Sequence, residues 1–179
     1  MSQMIIQEVL REANEKVFGI KSLQLKLLKE CPEMIPQVAK WQYNDWHSYD
    51  TTLTLERLIK SFEKQLTAAD FPFTVVVLQG STPIGSISLK KEGEPEFSDI
   101  SDKGPWVGSF HVIPSERHRG IGPKLSKVVL TIAKRLGYQQ VNFYTSNFSN
   151  VARYVKKGAQ VVETRPFRGH TVTLLKIDT

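Results

Sequence analysis

Residues 105–126 read PWVGSFHVIPSERHRGIGPKLS, and this stretch decides the fold. Its first half, WVGSFHVI (106–113), is rich in β-branched and aromatic residues and predicts a strand. Its second half opens a helix. From Ile121 to Leu136 the apolar residues Leu125, Val128, Val129, Ile132, Ala133 and Leu136 define one face, and Gly137 is the expected stop. Between them lies RHRGIG (117–122). Gly120 and Gly122 let the backbone come close to a ligand and point successive N–H groups outward. The helix behind adds the positive end of its dipole. Together these features predict a cradle for a diphosphate. Arg117, His118, Arg119, Lys124, Lys127, Lys134 and Arg135 crowd around it.

Two familiar phosphate loops do not fit. A P-loop needs Lys after its second glycine, and Gly122 is followed by Pro123. A dinucleotide loop needs a third glycine where Leu125 stands.

Working outward, the chain alternates strand and helix signals. Residues 2–17 place Ile5, Ile6, Val9, Leu10, Ala13 and Val17 at helical spacing, ahead of Gly19. The domain reading is therefore an accessory helix at 1–19 and a single domain at 20–179. SLQLKLL (22–28) reads as a strand, and Glu33 to about Trp46 as a helix with Pro36 in its first turn. Thr54 is a cap candidate for a helix carrying Leu55, Leu58, Ile59, Phe62 and Leu66. FTVVVLQ (73–79) and IGSISLK (84–90) form a hairpin, and a polar loop follows over 91–105. After the central helix come strand QVNFYT (140–145), short helix SNVARYVKK (149–157) and strand AQVVET (159–164). RPFRGH (165–170) turns the chain into a last strand, TVTLLKI (171–177). This order predicts an α/β (α+β) fold, a mixed sheet with helices on its faces.

Length and composition set outer bounds. The chain has 179 residues, 40% hydrophobic and 23% charged, ordinary for one globular domain. No apolar run approaches the roughly 20 residues that span a bilayer, so no membrane partner is expected. The N-terminus lacks the basic and apolar regions of a signal peptide. The lone Cys31 rules out an internal disulfide framework. These features fit a cytoplasmic protein. The formal charge of +6 favours anionic partners. No helix-turn-helix, zinc or RNP-like pattern supports nucleic-acid binding. The four histidines and one cysteine show no metal-ligand spacing.

The spacing of Arg117, Gly120 and Gly122, four residues past a strand-ending Val112, matches Q/R-x-x-G-x-G/A. Further on, NFSNVARYVKKGA (147–159) places Asn147, Tyr154 and Gly158 in an Asn-x-x-Ala-x-x-x-Tyr-x-x-x-Gly pattern. On these two motifs the chain resembles the GNAT N-acetyltransferase superfamily over roughly residues 20–177. The Pro-Trp start of the strand, FYTSN and the late RGH hairpin are similar to a bacterial branch of that superfamily, and distantly to actin N-terminal acetyltransferases. Three positions depart from the pattern: Pro123, Asn150 and Ala159.

The resemblance implies a mostly antiparallel sheet of six to seven strands, about four flanking helices and the extra N-terminal helix. It also implies direct transfer of acetyl from acetyl-CoA to a primary amine of a small molecule or peptide. The alternative is a weak module that binds coenzyme A or a partner without transfer. By the same resemblance Val112, Arg117, His118, Arg119, Gly120, Ile121, Gly122, Lys124 and Asn147 hold the cofactor, and Tyr154 is the acid for the departing thiolate. The amine would meet Trp46, Trp106, His111 and Arg168, with the two hairpin arginines, Arg165 and Arg168, hinting at an acidic acceptor. The base is open between His111, a water relay and an amine that arrives neutral. Strand alternation sets His111 opposite Phe110 and Val112 unless a bulge shifts the register. The chain is expected as a monomer or homodimer.

Overall fold

The run Val75–Leu78 is apolar on both sides of the strand, as a central strand covered on both faces requires. In the computed structural model, which describes residues 1–18, 22–100 and 104–179, this run lies in β2 (Phe73–Gln79). Its side chains alternate between two cores. Val75 and Val77 join one cluster, while Val76 and Leu78 join another on the opposite face.

Around β2 the sheet has seven strands: β1 (Leu23–Leu27), β2, β3 (Thr82–Lys90), β4 (Trp106–Val112), β5 (Gln140–Thr145), β6 (Gln160–Phe167) and β7 (His170–Asp178). Their spatial order is β1-β2-β3-β4-β5-β7-β6. Every pairing is antiparallel except β4 with β5. The helices are α1 (Ser2–Ala13), α2 (Ile35–Trp46), α3 (Leu55–Glu63), α4 (Ile121–Arg135) and α5 (Phe148–Val155). Among the described residues, no helix is long and apolar enough to cross a membrane.

Helices α1 and α4 cover one face. Ile6, Val9 and Leu10 of α1 join Leu125, Val129 and Ile132 of α4 in the main core. Helices α2 and α3 cover the other through Val38, Trp41 and Phe62. A third cluster, of Phe97, Trp106, Phe167, Val172 and Leu174, lies at the β4–β7 end. Thr54 caps α3, its hydroxyl accepting from Arg57 N–H at 3.2 Å. Gly137, with φ 91°, follows α4 in the left-handed form.

The N-terminal helix is tied to the sheet edge by one side chain. After α1 the chain makes a wide turn, Asn14–Phe18. Asn14 Oδ1 accepts from Leu25 N–H at 2.7 Å and its Nδ2 donates to Leu25 O at 3.0 Å. That side chain imitates a strand neighbour for β1. The domain boundary expected at residues 19 and 20 lies outside the described residues.

One element differs from expectation. Strand β6 runs on through Phe167, so only Arg168 and Gly169 turn the hairpin. Pro166 is tolerated there because β6 is an edge strand and needs no second ladder.

Because α1 supplies three nearly inaccessible side chains to the main core, truncating one should cost as much as a central core mutation. Leu10→Ala is expected to lower unfolding free energy by about 2–5 kcal/mol, read from urea denaturation. A loss below about 0.5 kcal/mol would show that α1 merely rests on the domain.

Candidate active site

Strand β4 carries one residue too many. Ser86 pairs with His111 and Ser88 with Gly108, so two steps on β3 face three on β4. The extra residue is at Ser109, whose φ is 48°, and Ser109 O accepts from Ser86 Oγ at 3.0 Å. The bulge changes which side chains share a face. Phe110 and Val112 point toward α4: a Cβ on Gly122 would stand 3.2 Å from Phe110 Cζ, and Val112 packs on the main core. His111 joins Trp106 and Gly108 on the α2 face.

The same strand has a free edge. Its parallel pairing with β5 is limited to Trp106 opposite Asn142. Beyond that bridge the strands part, and β4 presents backbone groups from Val107 to Val112 to the gap.

The glycine bend stands at the wide end of that gap. Gly120 (φ 81°, ψ 8°) is the N-cap of α4, and no side chain caps the helix. A Cβ at Gly120 would meet nothing within 4 Å, so the backbone faces open space. His118 is also left-handed, at φ 62°, with Arg119 between the two. This alternation of hand aims N–H groups to one side. Ile121 and Gly122 N–H lie at the first helical positions, where no intrahelical acceptor exists. Pro123 falls at the third, also outside the helical ladder, so it costs the helix nothing but offers no donor. The residues therefore fit an anionic diphosphate.

The surrounding charges are less free than their number implies. Arg117 Nε donates to Val112 O at 2.8 Å, which fixes the guanidinium beside the strand end. Arg119 donates to Glu116 at 2.7 Å. Glu116 is thus held in a half-buried ion pair, not solvated as a loop charge would be. Lys124 lies in the first turn of α4.

Helix α5 borders the gap from the β5 side. Asn147 caps it: Oδ1 accepts from Ser149 N–H at 3.0 Å and from Ser149 Oγ–H at 2.6 Å. Tyr154 packs edge-on against Phe143 at 5.0 Å between ring centroids, with Arg153 near its ring. Gly158 (φ 97°) closes the helix, and Ala159 N–H returns to Tyr154 O at 3.1 Å. The small Ala159 is itself buried under this turn.

On the opposite face, His111 is held by α2. Its ring stacks on Trp41 at 5.0 Å and 15°. Its Nδ1 lies 2.8 Å from Asp45 Oδ2, and its side chain is 12% exposed. A carboxylate only accepts, so in the neutral ring Nδ1 carries the proton and Nε2 keeps a lone pair. Trp41 and Asp45 are four apart, one turn of the same helix face.

A cavity of about 460 Å³ opens at the C-terminal end of α2, walled by Tyr49, Asp50, Thr52, Arg57, Arg168 and His170. Trp46 stands beside it, its ring against Tyr49 and Tyr144. Burial pushes the Tyr144 phenol above its usual range, so it stays protonated. Trp106 is not at an opening. It is 2% exposed, stacked on Phe97 inside the third core cluster.

The hairpin arginines are already engaged. Arg168, at φ 48°, meets Asp50 at 2.9 Å, Glu94 at 3.0 Å and Glu96 at 3.0 Å. Arg165 holds Asp99 at 2.8 Å and also contacts Glu163. Thr52 and then Arg168 keep the Asp50 carboxyl below the usual carboxylate range, and Arg168 does the same for Glu96. Arg168 thus lines the cavity with its charge already paired to three carboxylates of the α2–α3 and β3–β4 loops.

Sequence reasoning missed Asp45, Asp50 and Tyr144. Asp45 had a readable signal, its four-residue spacing from Trp41, but nothing local shows that β4 presents His111 to that face.

The sequence profile of the acetyltransferase (GNAT) family matches residues 35–159. No curated protein matches the chain significantly in sequence. Among solved structures, it resembles a GCN5-related N-acetyltransferase from Kribbella flavida, at TM-score 0.66 and 18% identity, covering 89% of this chain and 99% of that one. It also resembles an acetyltransferase from Thermus thermophilus, at TM-score 0.63 and 16% identity, covering 88% and 97%. A structure from Bacillus anthracis str. Ames, determined in complex with acetyl coenzyme A, matches at TM-score 0.54 and 16% identity, covering 66% and 68%. With more than half of its length matched by the profile, and with the parted strands and glycine bend in place, the chain belongs to the GNAT acetyltransferase family.

Proposed function

We propose that the protein is an N-acetyltransferase that moves acetyl from acetyl-CoA to a primary amine of a small molecule or peptide, by direct attack while both are bound. One observation carries this reading: a single bulged strand offers a free backbone edge toward α4 and α5, and a carboxylate-bound imidazole toward α2. The cofactor and the amine thus approach β4 from opposite sides.

Acetyl-CoA supplies an acetyl thioester. Ile121 and Gly122 N–H, with Gly120 opening the way, take its diphosphate, assisted by the charges of Arg117, His118, Arg119 and Lys124. The free edge ending at Val112 grips the pantetheine arm, and Asn147 borders it. The role of these residues is chiefly to position the thioester. His111 Nε2 accepts the proton of the incoming amine, and Asp45 holds the ring in the required tautomer. Tyr154, on the α5 side, donates its phenolic proton to the departing sulfur. The acceptor enters by the cavity beside Trp46. Because Arg168 and Arg165 are neutralised, that entrance does not select an acidic acceptor.

Four substitutions separate these roles. Gly120→Ala forces an L-residue into the left-handed form, and should weaken acetyl-CoA binding about tenfold or more by calorimetry. Unchanged affinity would remove the bend from the site. Tyr154→Phe should lower kcat by about a hundredfold or more with acetyl-CoA affinity retained. An unchanged kcat would remove Tyr154 from the chemistry. His111→Gln should lower kcat/KM about a hundredfold or more, and Asp45→Asn, which keeps the ring without its carboxylate partner, should lower it less. An unchanged kcat/KM in His111→Gln would place the base elsewhere.

A further inference from the structure

One amine of the chain itself already lies on the acceptor side of β4. Lys90 ends β3 directly across from Trp106, so it shares the face of Trp106, Gly108 and His111. Its side chain crosses Gly108: a Cβ built there would stand 3.2 Å from Lys90 Cε and 3.6 Å from Nζ. Glycine at 108 leaves to the lysine the space any other side chain would fill. The ammonium is only loosely tied. Glu94 Oε1 is 3.5 Å away, longer than an ordinary charge-assisted bond, and Glu94 is also drawn to Arg168 at 3.0 Å. The Lys90 side chain is 38% exposed.

The position along β4 matters equally. Gly108 is two residues past Trp106, the last point where β4 and β5 pair. A pantetheine arm laid from Gly120 and Gly122 down the free edge runs toward that point. Its thioester end would then lie where the strands close, with Lys90 across the strand.

We propose that Lys90 is a site of self-acetylation. The inference rests on the proposed function, since it needs acetyl-CoA in the gap. In the step, the neutral Lys90 amine attacks the thioester carbonyl carbon. A C–N bond forms and the C–S bond breaks. The proton lost from nitrogen goes to His111, on the same face, while Tyr154 gives its phenolic proton to the sulfur, and solvent then returns both side chains to their starting states. The products are an amide on Lys90 and the free thiol of coenzyme A, with no further reactant. The modified chain carries a neutral group over Gly108 and loses its attraction to Glu94.

The test incubates the purified full chain with acetyl-CoA and no added amine, then follows intact mass and maps the label by peptide mass spectrometry. The expected result is one acetyl group, on Lys90, at a rate that saturates with acetyl-CoA and does not depend on protein concentration. Lys90→Arg should lose the label and still bind coenzyme A. Gly108→Ala, whose methyl pushes the lysine aside, should slow labelling at least about fivefold. Label spread over other lysines, a rate proportional to protein concentration, or undiminished labelling in Gly108→Ala would overturn the proposal. Calorimetry with acetyl-CoA runs beside it: binding without label on Lys90 refutes self-acetylation alone, whereas no binding refutes the proposed function as well.

Discussion

The site depends on one extra residue in one strand. Without the bulge at Ser109, regular alternation would leave His111 on the α4 face with Val107, and the imidazole would never meet Asp45. With it, the phase of β4 changes midway. Trp106 and Gly108 before the bulge, and His111 after it, face α2, while Phe110 and Val112 face α4. A residue with φ 48° that is not glycine costs energy, and the packing of β3 on one side holds it in place. The structure retains that cost at the point where the open edge of β4 and the His111–Asp45 pair lie back to back.

The bulge works together with the parting of β4 and β5. A parallel pair ordinarily continues along both strands, and burying unpaired N–H and C=O groups is costly. Here the pairing ends at Trp106 and Asn142, and Trp106 Nε1 and Asn142 Oδ1 are buried there without partners among the described residues. The clusters that wedge the sheet differ on its two faces. Phe97, Trp106 and Phe167 fill the α2 side near the closed end. The basic residues near the bend then act mostly as a field. Two of them, Arg117 and Arg119, already have internal acceptors, whereas among the described residues nothing stands against the backbone of Gly120.

Much of this was legible in the chain. The apolar face of α4, the Thr54 cap and the Gly137 stop follow from spacing and backbone chemistry, and each lies where the sequence puts it. The seven-stranded mixed sheet agrees with the resemblance carried by Arg117, Gly120, Gly122, Asn147, Tyr154 and Gly158. What the sequence hides is pairing across distance. Arg168 reads as a free cation in RPFRGH, but its three carboxylate partners come from loops more than seventy residues away. Trp106 is placed beside the amine by the resemblance alone, and tertiary packing buries it. Asp45 and Lys90 acquire meaning only once β4 is seen to lie under α2 and beside β3.

The central claim is that the parted edge of β4 and the bend at Gly120 hold a thioester of coenzyme A, with its reactive end toward the closed junction of β4 and β5. A crystal structure of the protein grown with acetyl-CoA tests it most directly. The account predicts diphosphate density on the N–H groups of Ile121 and Gly122 and the pantetheine arm along Val107–Val112. An empty gap with β4 and β5 closed onto each other, or the nucleotide bound elsewhere, would contradict it.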